Sequence, residues 1–208
     1  MASRKFVVNF IACALIVLFM IGCGPVVNTT VMLSRDKYVS QLNPEDYKFF
    51  AGKRILFNSI IDKSTNTSNL YYYNPEQTLG YSLYYKNPGQ TMAQPVVSFF
   101  WYALQKGFDH AGIIIEESSP IYDAELTMTF LSVTDREIIF DVLFTKMGRI
   151  ICQKNYSVKS PDVKTEDVSV LEQRAYGMID SMVKAILDDP DFKKISKKQP
   201  GDFSWGHQ

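Results

Sequence analysis

The stretch AELTMTFLSVTDREIIFDVLFTKMGRIICQKNYSV, residues 124–158, decides the fold. Ala124, Leu126, Met128 and Phe130 alternate with Glu125, Thr127 and Thr129, a period of two that buries one face of a strand and wets the other. Thr134-Asp135-Arg136-Glu137 makes a turn into EIIFDVLFT, and Lys146-Met147-Gly148-Arg149 turns again into RIICQKNYSV. The pattern predicts an antiparallel meander of about three strands. Cys152, inside its last apolar run, reads as a core residue.

Helical spacing flanks the meander on both sides. Upstream, PVVSFFWYALQKGF begins at Pro95, stops at Gly107, and sets Val97, Phe100, Trp101, Leu104 and Phe108 on one stripe. Such a stripe is too apolar to be solvated, so the helix must pack on a sheet. Gly112 to Glu117, GIIIEE, reads as a short buried strand. Downstream, Thr165 is the expected cap of a second helix, with Glu166 and Asp167 in its first turn and Val168, Leu171, Ala175, Met178, Met182 and Ile186 at 3-4 spacing. Asp188-Asp189-Pro190 ends it, and residues 193–208 read as a flexible polar tail carrying Phe203 and Trp205. Residues 53–61, KRILFNSII, are rich in β-formers and supply the first core strand. The expected fold is α+β: a mixed, largely antiparallel sheet of about four to five strands, with two helices packed on one face, spanning residues 53–192.

Tyr71, Tyr72, Tyr73, Tyr81, Tyr84 and Tyr85 are half of the chain's 12 tyrosines. They are interleaved with Asn74-Pro75 and Asn87-Pro88-Gly89, which predicts short extended pieces between turns. A tyrosine-rich surface suits a partner interface, because tyrosine offers large contact area at low entropic cost. The same residues would equally serve to cover the edge of the core, and the sequence leaves both readings open.

The amino terminus, MASRKFVVNFIACALIVLFMIGCGP, has a basic head at Arg4 and Lys5 and an apolar run from Phe6 to Ile21 broken only by Asn9. That is the layout of a secretory signal. It resembles the bacterial lipoprotein signal, whose cysteine is diacylated, then becomes the new amino terminus and receives a third chain. Gly22 and Cys23 match the most restrictive lipobox positions, Ile21 is acceptable, and Met20 stands where leucine is commonest. Two other readings stand beside it and neither is preferred: an uncleaved anchor, which would want about 20 apolar residues, and ordinary cleavage, which would favour an A-x-A-like site. The resemblance implies a signal peptide over residues 1–22, lipidation at Cys23, and an acylated tether over residues 23–52, a stretch without clean periodicity whose Tyr47, Phe49 and Phe50 suggest that its end already packs against the domain. Gly24, rather than an inner-membrane-retaining aspartate, follows the cysteine, which implies an outer-membrane lipoprotein facing the periplasm.

Removing residues 1–22 from the 208 leaves 186, enough for one domain with a real core. Arg4 and Lys5 leave with the signal, so 20 basic residues face 22 acidic ones and the formal charge is −2. Nucleic acid is therefore not an expected partner. Cys13 also leaves and Cys23 is acylated, so Cys152 has no cysteine to pair with and the core alone must hold the fold.

No catalytic constellation emerges. His110 and His207 are the only histidines, and no phosphate loop, G-x-S-x-G elbow or H-E-x-x-H is present. Glu116-Glu117 and Asp188-Asp189 pair carboxylates at element ends, where they are usually solvated, and Asp62, Asp123 and Asp141 sit at strand ends or wet faces. The expectation is a protein that is not an enzyme, with no catalytic, cofactor-binding or metal site.

Following a lipobox, the order strand, tyrosine-rich loops, helix, strand, meander, helix resembles the auxiliary lipoproteins of ABC-type transport systems, whose domain is similar to the amino-terminal domain of TolB. The resemblance covers Lys53 to about Phe192. It rests on KRILFNSIIDKSTNT, on Gln105-Lys106-Gly107-Phe108 at a helix end, and on AELTMTFLSV followed by a hairpin. It implies a protein that works by contact, assisting an envelope complex that moves lipid or another hydrophobic solute. Two alternatives stand beside it. One is a regulator of a cell-wall synthase, for which a tether of roughly 28 residues would reach at most about 90 Å. The other is a lipid-carrying domain, which needs an apolar cavity.

Overall fold

The computed structural model describes residues 27–64, 70–74, 79–85, 96–134, 136–161, 165 and 167–196. Along the chain these form β1 (Val27–Leu33), a 3-10 helix (Pro44–Phe50), β2 (Arg54–Asp62), β3 (Leu70–Asn74), β4 (Leu79–Tyr85) and α1 (Val96–His110). Then come β5 (Ile114–Glu116), β6 (Ala124–Val133), β7 (Glu137–Lys146), β8 (Arg149–Lys159), α2 (Val168–Leu187) and a second 3-10 helix (Phe192–Ser196).

The meander forms as its alternation predicts. β6, β7 and β8 pair antiparallel, and their register sets Leu126 opposite Phe144, Met128 opposite Val142 and Phe130 opposite Phe140. All six side chains are fully buried, so cross-strand pairing and core burial select the same register. The β7–β8 connection is the pair Met147-Gly148, with φ of 49° and 73°. Two consecutive left-handed residues make the tight hairpin turn whose twist matches the strands. β2 joins β6 in parallel and takes β5 on its other side, also in parallel, giving the sheet order β5-β2-β6-β7-β8. The class is α+β, with a mixed five-stranded sheet. β5 is shorter than the expected 112–117 strand. Ile113 is buried just before it, Gly112 turns at φ 88°, and Ile114 is 41% exposed on the sheet's edge.

Both α-helices lie on the buried face of this sheet. Phe100 meets Phe130 at a ring separation of 5.1 Å, and Trp101 stacks on Phe57 at 4.5 Å. α1 also has a second buried side, where Phe99 packs on Tyr85 at 5.5 Å and on Tyr176 of α2 at 5.8 Å. The reason is a second sheet, in the order β1-β4-β3, with β1 and β4 parallel and β3 and β4 antiparallel. The helices are thus a filling between a five-stranded and a three-stranded sheet, which accounts for how apolar α1 is around its circumference. The cap of α2 is Asp167, whose carboxylate accepts from the Ser169 backbone N–H at 2.8 Å; Thr165 instead accepts from the Asp167 N–H.

The segment expected as a tether needs correcting. From Val27 onward it is part of the domain: Val31, Leu33, Tyr38, Tyr47 and Phe50 are all buried in the core. The Asn43 side chain caps the 3-10 helix, with Pro44 at its first turn. At the other end the second 3-10 helix extends the domain past residue 192. Phe192 is wholly buried against Phe50 at 4.9 Å and Phe144 at 4.6 Å, while residues 197–208 lie outside the described residues.

Candidate functional site

Cys23 and the signal, residues 1–26 included, lie outside the described residues. The tyrosine cluster is placed by its strands. β3 carries Tyr71, Tyr72 and Tyr73, and β4 carries Tyr81, Tyr84 and Tyr85. The register puts Tyr72 opposite Tyr81, Tyr73 opposite Gly80 and Tyr71 opposite Ser82. Tyr85 does not belong to a partner surface. It pairs with Leu33 of β1, is fully buried, and packs against Phe99 and Tyr102. For that one tyrosine the core-covering reading is correct. Burial raises its hydroxyl pKa, an effect partly offset by the Arg35 charge.

The arm that follows β1 is clamped to α2. Asp180 accepts from the Tyr38 hydroxyl at 2.8 Å, the Ser40 hydroxyl at 2.7 Å and the Gln41 backbone N–H at 3.0 Å. One turn group earlier, the Tyr176 hydroxyl donates to Glu172 at 2.6 Å, and Lys37 reaches the same carboxylate at 3.1 Å. Burial, reinforced by the Asp180 carboxylate, pushes the Tyr38 hydroxyl far above the ordinary phenol range, so it stays a donor. Sequence reading missed this clamp. Its one signal was a lone acid, Asp180, set between the core positions Ile179 and Met182.

Beside the arm runs an open cleft of about 380 Å³ between α1 and the β5 edge, with Arg35, Tyr102, Lys106, Asp109 and Glu117 among its lining. The Arg35 guanidinium lies 3.7 Å over the Tyr102 ring, and Lys106 donates to the Arg35 and Tyr38 carbonyls at 3.1 and 2.5 Å. A second open groove of about 450 Å³ runs where the end of β8 meets α2, past Pro161, Val170, Gly177 and Met178, and is lined mainly by carbon.

At the other end of α2 a polar cluster ties the carboxy-terminal segment to the sheet. Lys154 faces the core side of β8, opposite Val142, and its ammonium reaches out to Asp189 at 2.9 Å and Asp191 at 2.7 Å. Hydrogen bonds from Lys154 and then Lys194 hold the Asp191 carboxyl at about 2. Burial acts to raise Asp189, but Lys154 and the backbone N–H groups of Asp191 and Phe192 outweigh it and keep its pKa low. Tyr156, stacked on Phe140 at 5.4 Å, has a buried hydroxyl without a hydrogen-bond partner within normal distance; burial first, and the nearby Asp189 charge second, raise its pKa. Cys152 is buried in the same region and its thiol is pushed up by that burial, which makes it a packing residue rather than a nucleophile.

The acids singled out in the sequence are engaged in holding the fold. Asp62 accepts from the Ser64 N–H and hydroxyl, Asp123 from the Arg54 N–H, and Asp141 from Asn155. Glu116 pairs with Arg54, Glu117 accepts from Gln105, and Asp188 pairs with Lys184. His110 lies 3.0 Å from the Leu42 carbonyl, tying the end of α1 to the arm. Among the described residues no group of three or more His, Cys, Asp and Glu side chains is placed to hold a metal ion. No helix of the described residues is long and apolar enough to cross a membrane.

No family model and no curated protein matches the chain. Among solved structures, a Xanthomonas campestris protein of the family DUF330 is similar at 13% identity and a TM-score of 0.45, over 76% of this chain and 94% of its own. A second, described as uncharacterised, is 12% identical with a TM-score of 0.37, over 76% and 99%. Likeness at this level carries no argument about function.

Proposed function

We propose that this chain is a lipoprotein of a bacterial envelope, acylated at Cys23 and without catalysis of its own, whose domain serves as an accessory or scaffold in a transport or assembly complex. The observation that carries the reading is the opening of the chain: Arg4-Lys5, the apolar run, and Gly22-Cys23, set just ahead of a domain that starts at Val27. The absence of an aspartate at position 24 favours the outer membrane, facing the periplasm. The segments KRILFNSIIDKSTNT and AELTMTFLSV, by their resemblance to auxiliary lipoproteins of ABC-type transport, point toward a complex that moves lipid or solute. Structural engagement of the strand-end and helix-end acids supports a role through contact.

The regulator-of-a-wall-synthase alternative depended on a long tether, and residues 27–50 are instead folded into the domain. Cys23→Ser is expected to abolish acylation and leave an unprocessed precursor, read by mass spectrometry of the amino-terminal peptide. A variant cut and released as usual would overturn the anchor. Crosslinking in native membranes is expected to recover a defined envelope partner, and a persistently solitary protein would count against the accessory role.

A further inference from the structure

The small sheet has two ends, and the chain dictates which one lies near the anchor. β1 starts at Val27, four residues after Cys23. A fully stretched chain covers at most about 3.6 Å per residue, so the acylated cysteine and the first rung of the sheet are at most about 14 Å apart. The headgroup layer on one side of a bilayer is about 5–8 Å deep. The anchor therefore leaves the sheet almost no room to stand clear of the lipid.

The register names what is at that end. The first rung is Val27, Leu79 and Asn74; the second Asn28, Gly80 and Tyr73; the third Thr29, Tyr81 and Tyr72. At about 3.3 Å per rung, three tyrosine positions fall within about 7 Å of the first rung. None of the three strands, VNTTVML, LYYYN and LGYSLYY, contains a charged residue, whereas every strand of the five-stranded sheet contains at least one. Uncharged sequence rich in tyrosine suits the membrane–water interface, where an apolar ring and a polar hydroxyl are both satisfied.

We propose that the Val27–Leu79–Asn74 end of the three-stranded sheet, the end whose rungs hold positions 72, 73 and 81, rests on the phospholipid headgroup layer, and that the Leu33–Tyr85 end points away from the bilayer. This rests on the lipoprotein reading of Cys23. The test uses the mature, acylated protein in a Cys152→Ala background, reconstituted into phosphatidylcholine vesicles containing headgroup-nitroxide lipid. A bimane label is placed at Asn74→Cys in one sample and at Asp36→Cys, in the exposed turn beyond the far end of β1, in another. The label at 74 is expected to be quenched several-fold more than the label at 36. Equal quenching in protein whose triacylated peptide is seen by mass spectrometry overturns this orientation alone; absence of the acyl mass overturns the anchor, and the orientation with it. A flexible Gly-Ser insert after Gly24 removes the short leash. Quenching at 74 that survives the insert supports affinity of the sheet end for lipid, and its loss overturns that affinity and leaves the short leash alone to set the orientation.

Discussion

Asp180 is the residue on which the amino-terminal arm depends most. One carboxylate satisfies three donors, from Tyr38, Ser40 and Gln41, and two of them come from buried residues. Asp180→Ala strands those donors against an apolar neighbourhood, and a buried donor without a partner costs about 1–3 kcal/mol. The variant is expected to lose about 3 kcal/mol in denaturant unfolding, whereas Asp180→Asn, which keeps an acceptor oxygen, is expected to lose about half of that. A loss within error for both would show that the arm is held by packing alone. Surface pairs such as Lys48–Glu45 contribute little by comparison, since both side chains are largely exposed.

At the scale of elements, two glycines in helices make opposite predictions. Gly107 of α1 lies where α1 crosses α2: a Cβ there would meet the Val183 side chain at 2.9 Å and the Tyr38 hydroxyl at 3.2 Å. Gly107→Ala is expected to destabilise, because overpacking of about 1–3 kcal/mol outweighs a helix-propensity gain of about 1. Gly177 of α2 has nothing within 4 Å of the same position, so Gly177→Ala is expected to raise stability by about 1 kcal/mol. Thermal unfolding of the two variants checks both signs. Elements with local periodicity were legible in the sequence. The meander, both helices and β2 appear within a few residues of their expected ends, because burial of each is written in its own spacing. β1 was not legible, since VNTTVML becomes a core strand only through pairing with β4, some fifty residues later, and the clamp on α2. Tyr85 shared its composition with the other tyrosines of its cluster, and its place in the core follows from its pairing with Leu33 of β1, which no local pattern shows. The Lys154 cluster was hidden for a similar reason: it joins a strand to a helix end 35 residues away.

For the whole molecule, acid stability follows from the polar cluster that fastens the carboxy-terminal segment. The Asp191 carboxyl titrates at about 2 in the folded protein, below its ordinary value of about 3.9. A depressed folded value means that its contribution is complete above about pH 4 and is lost as pH falls toward 2. Asp191→Asn is therefore expected to flatten the fall in stability across that window while lowering stability at neutral pH; denaturant midpoints measured from pH 7 to pH 2 would show it, and an unchanged slope would refute it. The clamp at Asp180 also sets an order of events. Its partners are separated by about 140 residues of chain, as in the Tyr38 contact, where the separation is 142. Closing so long a loop is entropically unfavourable until α2 has formed and docked, so native contacts of this range slow folding. β1 and its arm are therefore expected to dock after the rest of the core has assembled, and pulsed proteolysis during refolding would check it: cleavage in residues 27–41 should persist after α2 is protected, and simultaneous protection would refute that order.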